Sequence, residues 1–288
     1  MQYNIDKDLE YLKIINNLND DDLADYCGIT RMTLNRWRKN DVIPAHDSLE
    51  RIYNAIYSNG IYLNKLKEEM YVSSAPKNHI VLFHGAKSEI IGEPSIKFSE
   101  EKKDFGKGFY LGESFNQSAS FVIGYESSSV YIFDFDKTNV KIKEYDVGVE
   151  WMLLIAYFRN KISDYSNSTI IKRIVNELKN TDVVIAPIAD NTMYTILDDF
   201  IRGIITDLQC LNALSANRLG KQYVFLNNDV INSNLKMLER CFLCEKERMD
   251  FEKVNMQENS VGKNKVKIAL REYAGKGKYI EDLLYEKA

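Results

Sequence analysis

Histidine, cysteine and proline are scarce: the 288 residues hold three, four and four of them. That scarcity excludes much chemistry. A structural zinc wants four ligands, usually as two close pairs, yet Cys27 and Cys210 stand alone and no HxxxH spacing exists. Cys241 and Cys244 form a CxxC. They follow a run, Leu235-Lys236-Met237-Leu238, that reads as helical, and reduced cysteines sharing a helix face fit a cytosolic chain better than a redox pair. We therefore expect no metal and a cytoplasmic location. No stretch approaches the 18 or more apolar residues of a membrane span, and MQYNIDKDLE does not read as a signal peptide. Charge is not one-sided either: 38 Lys+Arg face 42 Asp+Glu, a formal net of −4. Any nucleic-acid footprint must be local. What is present, 45% apolar and 28% charged residues, is the composition of a globular chain long enough for about two domains. No internal repeat is visible.

The first 70 residues form one compositional unit. Leu9, Leu12, Ile15 and Leu18 suggest a first helix. In DLADYCGITRMTLNRW, Leu23 and Ala24 lie on one helix, Gly28 and Ile29 at a turn, and Leu34 and Trp37 on the next helix, which Thr30 can cap. Another helix follows Pro44, with Leu49, Ile52, Tyr53 and Ile56 on one face. Residues 8 to 60 resemble the phage-repressor type of helix-turn-helix domain. The resemblance implies that Arg31, Thr33, Asn35, Arg36 and Arg38 face DNA, where Arg and Asn read base edges. Asp20, Asp21, Asp22, Asp25 and Asp41 flank the motif and oppose phosphate contact. A helical bundle for dimerisation or partner docking is the alternative.

Residues 72–79 mix small and polar side chains with a proline and read as a linker. Beyond them, Ile80–Phe83, Ser129–Phe135, Asp182–Ile188 and Gln222–Leu226 read as strands. Val149–Phe158, a run with Ile171, Ile174, Val175 and Leu178 at helical spacing, and Met193–Ile201 read as helices. The irregular alternation predicts α+β rather than a doubly wound sheet. From about Leu235 a Lys/Glu-rich helical tail is expected.

Three segments carry candidate chemistry. Phe83-His84-Gly85 ends a strand; the glycine would let a ligand reach the backbone, and imidazole can bond a ribose hydroxyl. In Asp104-Phe-Gly-Lys-Gly-Phe-Tyr110, Gly106 and Gly108 allow a tight turn into a strand presenting the Tyr110 ring. Ser118 and Phe121, three apart, offer a hydroxyl and a stacking ring. The third segment is Gln222-Tyr-Val-Phe-Leu. The inventory suits an aromatic amide on a ribose, the nicotinamide end of NAD. Each residue taken singly also fits an ordinary turn, cap or core position.

FGKGFYLGESFNQSASF is similar to the nicotinamide-binding segment of poly(ADP-ribose) polymerase-type ADP-ribosyltransferases, and QYVFLNNDVINSNLKML to their catalytic strand. With LFHGAK, DFGKGFY, DVVIAPIADNTMY and GKQYVF in this order, residues 79 to 235 resemble a bacterial ADP-ribosyltransferase-like family, formerly catalogued as a domain of unknown function. The resemblance implies a split pair of antiparallel sheets with NAD in the cleft. It implies that His84 binds the adenine-proximal ribose, the Gly85 backbone and Ser118 the carboxamide, and that Phe121 stacks on nicotinamide. Tyr110 and Gly108 would line the bound NAD, and Gln222 would approach the nicotinamide ribose, with His84, Tyr110 and Gln222 as the catalytic set.

Gln222 stands where those enzymes carry glutamate. A carboxylate stabilises the positive charge that builds on the ribose carbon; a neutral amide does so less well, which argues against polymer elongation. Asp190 is a candidate substitute carboxylate. The expected architecture is thus a helix-turn-helix domain (1–71), a linker (72–79), an ADP-ribosyltransferase-like domain (80–235) and a helical extension (236–288). The expected function is mono-ADP-ribosyl transfer from NAD to a protein or nucleic-acid acceptor, in a toxin or phage-defence effector. Expected partners are a DNA operator or an antitoxin, and no membrane. An NAD glycohydrolase, or a non-enzymatic regulator sensing NAD or ADP-ribose, are the alternatives.

Overall fold

The computed structural model describes residues 2–39, 41–189, 191–216 and 220–284, without the side chains of 191 and 192. Five helices come first: α1 (Ile5–Ile15), α2 (Asp20–Tyr26), α3 (Arg31–Arg38), α4 (His46–Ser58) and α5 (Leu63–Ser74). Next come β1 (His79–Ala86), β2 (Phe109–Gly112), α6 (Phe115–Ser120), β3 (Ser129–Asp136), β4 (Ile142–Glu144), α7 (Val149–Phe158) and α8 (Thr169–Leu178). The remainder is β5 (Val183–Pro187), α9 (Asn191–Ile201), α10 (Asp207–Ser215), β6 (Lys221–Phe225), α11 (Asn228–Asn234), β7 (Leu235–Phe242), α12 (Glu245–Glu272) and α13 (Ile280–Leu284). The class is α+β. Among the described residues no helix is long and apolar enough to cross a membrane.

Two compact units interleave along the chain. The first is Met1–Gly92, Ser114–Phe135 and Met237–Lys253; the second is Glu93–Glu113, Asp136–Lys236 and Val254–Ala288. In the first, α2 begins at an Asn19/Asp22 capping box and ends at Gly28, whose φ is +63°. The Ile29 N–H donates to Ala24 and the Gly28 N–H to Asp25, the paired bonds that close a helix on a left-handed residue. Thr30 caps α3 by accepting from the Thr33 N–H, as the sequence suggests. Leu9, Leu12, Leu23, Ala24, Leu34, Trp37, Leu49, Ile52, Tyr53 and Ile56 fill one core. Ile15 closes the expected first helix but is exposed.

That core is not closed by the helices alone. Phe242 and Cys244, far along the chain, belong to it. The Phe242 ring lies 5.3 Å from Tyr3, 5.4 Å from His46 and 5.0 Å from Tyr53, and Asn64 donates to its carbonyl at 2.8 Å. Nor are residues 72–79 wholly a linker, since α5 continues through Ser74. The helix expected from Leu235 is instead the strand β7. Cys241 joins a cluster with Val81, Phe83, Val130 and Ile132, whereas Phe242 joins the helical core. Adjacent residues turned to different cores follow the two-residue period of a strand. In this unit β1, β3 and β7 are hydrogen-bonded neighbours in that order.

In the second unit the strands run β4-β5-β6-β2. β6 pairs antiparallel with both β5 and β2, but β4 and β5 are parallel, so this sheet is mixed where an antiparallel one was expected. A parallel neighbour needs a long crossover, and α7 and α8 lie in the chain between β4 and β5. Helix α7 is buried nearly all round, while α8 buries Ile171, Ile174 and Leu178 on one face.

Candidate functional site

In the first unit, LFHGAK and NQSASF pack together. Ser114 caps α6 by accepting from the Gln117 N–H, and the helix delivers Ser118 to β1. Ser118, 4% exposed, donates its hydroxyl to the Phe83 carbonyl at 2.9 Å. A Cβ on Gly85 would stand 2.2 Å from the Ser118 carbonyl oxygen. The expected ligand approach at Gly85 is therefore taken, on its Cβ side, by protein backbone, and the proton Ser118 was expected to give a carboxamide already has an acceptor. His84 is half-buried within β1. Phe121, the C-cap of α6, is 59% exposed and presents a ring to solvent. His79 pairs with Asp134 at 2.9 Å.

The second unit unites three of the quoted segments. FYLG is β2, VVIAP is β5 and KQYVF is β6, with Tyr110 opposite Val224 and Gly112 opposite Gln222. Gly106 needs its φ of +70°, and a Cβ on Gly108 would stand 2.6 Å from Val224. Tyr110 donates to the Gly106 carbonyl at 2.8 Å and accepts from the Phe105 N–H at 3.1 Å, so its hydroxyl ties the turn that precedes it. Burial pushes the phenol well above its usual range, against the Phe105 hydrogen bond. Lys103 Nζ lies 5.4 Å from the Tyr110 ring centre.

At Gln222 the turn and the sheet meet. Its Nε2 donates to Asp104 Oδ2 and to the Pro187 carbonyl, each at 3.1 Å. Asp104, 5% exposed, takes Arg159 Nε and Nη2 at 2.9 Å and the Tyr194 hydroxyl at 2.8 Å, all on Oδ1. The Arg159 guanidinium lies 3.5 Å over the Tyr194 ring. Burial, reinforced by the Asp104 carboxylate, raises the Tyr194 phenol and keeps it a donor. Sequence reasoning gave Asp104, Arg159 and Tyr194 no role. Asp104 and Tyr194 sit inside quoted segments, and Arg159 is the cation just after the apolar α7, so the signal was an acid, a phenol and a base at element ends. Asp190 lies outside the described residues.

Of the five candidate DNA-facing residues, Arg31 pairs with Asp21 at 2.6 Å, and Arg38 with Glu10 at 2.6 Å and Asp20 at 2.9 Å. The Thr33 and Thr30 hydroxyls are 2.9 Å apart, while Asn35 and Arg36 are exposed. Two of the three arginines thus already meet the carboxylates that flank the motif. Among the described residues no group of three or more His, Cys, Asp or Glu is placed to hold a metal. All four cysteines are buried free thiols. Burial pushes Cys27 up to about 11 and Cys244 up to about 12, away from thiolate chemistry.

With that geometry in view, residues 80–237 match the family described as "Protein of unknown function (DUF3990)". The match covers more than half of the chain. The chain belongs to this family. No curated protein and no solved structure matches it. The DUF3990 region takes in β1 to β6, α6 to α11 and the start of β7, hence both the β1–α6 contact and the Gln222 network.

Proposed function

We propose that this DUF3990 protein is an NAD-dependent mono-ADP-ribosyltransferase. What supports the reading is one observation: segments that resemble the nicotinamide-binding and catalytic strands of such enzymes are the paired strands β2 and β6, and Gln222 on β6 is hydrogen-bonded to Asp104 in the turn that leads into β2. Cleavage of the nicotinamide–ribose bond builds positive charge at C1′. An acceptor nucleophile forms the new bond to C1′, the bond to nicotinamide breaks with its electron pair, and the acceptor's proton passes to solvent. Gln222 orients the ribose by accepting a hydroxyl hydrogen on Oε1. Being neutral, it stabilises charge less than a carboxylate, which suits slow single transfer. In the second unit Tyr110 and Gly108 line NAD; on the resemblance alone, His84 takes a ribose hydroxyl and the exposed Phe121 stacks on nicotinamide. Gly85 offers its backbone to the carboxamide, and Ser118 takes part only once its hydroxyl leaves Phe83. NAD is the substrate, and the step uses no metal.

The acceptor is a protein or nucleic acid, and the physiological role a toxin or phage-defence effector, on the resemblance alone. The helix-turn-helix then serves as an operator-binding or antitoxin-binding element through the exposed Asn35 and Arg36, together with Arg31, Thr33 and Arg38.

The test incubates full-length protein with NAD labelled separately in nicotinamide and adenylate, in the presence of cell lysate. Nicotinamide release with transfer of adenylate label to macromolecules is expected, both lost in Gln222→Ala. Release without label transfer marks a glycohydrolase. Absence of release, with NAD or operator DNA still bound, overturns the enzymatic reading in favour of a regulator.

A further inference from the structure

We propose that Asp104 is a positioning residue that sets the polarity of the Gln222 amide, holding its N–H side inward and leaving Oε1 as the presented acceptor. The consequence is a site built for glutamine and hostile to glutamate at position 222. Two groups face Gln222 Nε2. Asp104 Oδ2 and the Pro187 carbonyl are both acceptors at 3.1 Å, and Pro187 O has no proton to give. Only the NH2 branch of the amide satisfies both, which fixes the amide's orientation. The planar amide then carries its oxygen on the other branch.

Asp104 holds that orientation because it is itself held. Three donor contacts, two from Arg159 and one from Tyr194, converge on Oδ1. Oδ2 is left to Gln222. The guanidinium also sets a positive charge against the carboxylate within a nearly closed network. Arg159 is braced by the Tyr194 ring beneath it. The frame therefore reads a hydrogen-bond donor at position 222 and rejects an anion.

A glutamate there would set a carboxylate oxygen against Asp104 and against a carbonyl at the same distance. Two carboxylates so close cannot both ionise, and one must keep its proton. Protonated, the substituted side chain would keep one of the amide's two hydrogen bonds, with its O–H turned to Asp104. Ionised, it would push the network apart. Restoring the glutamate of the resembled enzymes is thus expected to lower function at neutral and alkaline pH.

The catalytic half of this inference rests on the proposed transferase activity; the electrostatic half does not. The test measures the thermal midpoint and nicotinamide release of full-length wild type, Gln222→Glu, Asp104→Asn and Asp104→Asn/Gln222→Glu at about pH 5 and about pH 8. Gln222→Glu is expected to lose stability relative to wild type as pH rises between these values. Its release should fall roughly tenfold or more below wild type at the higher pH and recover at the lower. Asp104→Asn alone is expected to weaken release at both. In the double variant the new amide at position 104 donates to the new carboxylate at position 222. The pH-dependent loss of stability should then shrink, and release at the higher pH should rise above that of Gln222→Glu.

A Gln222→Glu protein as stable and active as wild type at about pH 8 overturns the inference, as does a double variant no better than the single one. If Gln222→Glu fails to fold at either pH, recovery of folding in the double variant supports the inference and its failure overturns it. Should wild type release no nicotinamide, the transferase reading falls, while the pH-dependent midpoints still decide whether Asp104 sets the amide.

Discussion

At the scale of single residues, two glycines show how one residue type answers two different demands. Gly28 needs its φ of +63°, and a Cβ there would meet nothing within 4 Å. Gly28→Ala is therefore expected to cost only the left-handed conformation, about 1–2 kcal/mol in urea unfolding. Gly85 is different, since its Cβ would fall against the Ser118 backbone. Gly85→Ala must displace α6 or β1 and strain the Ser118–Phe83 hydrogen bond. Its cost should reach about 1–3 kcal/mol, toward the upper end. A neutral Gly85→Ala would mean that α6 gives way freely. The sequence marks both positions, but the same missing Cβ serves a turn, a bound ligand or a packed helix equally. Hence Gly28 was legible as a turn while the packing role of Gly85 was not. Asp104 was hidden for a related reason: an acid beside a glycine turn reads as solvated until Arg159, 55 positions away, is brought to it.

At the scale of elements, local signals were read well and long-range ones poorly. Helices α4, α7 and α8 and strands β1, β3, β5 and β6 follow the expected periodicities within a few residues. Strand β7 reads as helical because Leu235, Leu238 and Phe242 fall at helical spacing, and because it carries Glu239 and Arg240 into the interior. Such charges read as solvent-facing until their partners are known. Lys67 Nζ meets Asp8 at 2.6 Å and Glu239 at 2.7 Å, all three nearly inaccessible, binding α1 and α5 to β7. Tyr71 adds a hydrogen bond to Glu239 at 2.7 Å. Lys67→Met removes the one cation that touches both carboxylates among these buried groups. It is expected to cost about 3–5 kcal/mol in chemical denaturation. A loss below about 1 kcal/mol would show that the cluster adapts by taking up protons.

Glu247, at the start of α12, has the opposite character. It is buried against Asn64, which donates to it at 2.8 Å, and burial pushes its carboxyl up to about 8, against that hydrogen bond and the Lys67 charge. The folded chain thus keeps a proton that the unfolded chain releases near 4.5. The folded state binds more protons across this window, so this group's contribution to stability declines as pH rises from about 4.5 to about 8, then levels off. The slope is at most about 1.4 kcal/mol per pH unit. Glu247→Gln retains a neutral group there and should flatten the decline, making the variant more stable than wild type at the alkaline end. Urea midpoints measured across the window check this, and parallel curves for the two proteins would rule Glu247 out as its source.

At the scale of the whole molecule, the question is whether the repressor-like helices are a separable module. Their sequence reads as self-contained, with a helix-turn-helix signature and an expected linker after it. Their core is not self-contained, because Phe242 packs among Tyr3, His46 and Tyr53 and Cys244 joins the same cluster. These residues lie just beyond the DUF3990 match, which ends at residue 237. Asn64 reaches the Phe242 carbonyl and Glu247, and Lys67 needs Glu239 to balance its second contact. A fragment of residues 1–78 would therefore expose the apolar seat of Phe242 and leave Asn64 and Lys67 without those partners. Exposing one large aromatic seat costs about 3–5 kcal/mol, and the lost partner of Lys67 adds to that. Domains of this size rest on only about 5–15 kcal/mol in total. The fragment is expected to keep helical circular dichroism but to lack a cooperative urea transition and a dispersed amide spectrum, both of which full-length protein should show. A fragment that unfolds cooperatively with dispersed resonances would make the helical region an independent domain after all. Otherwise, the N-terminal helices are part of a unit completed by β7, a unit that also holds β1, β3 and α6 of the DUF3990 region.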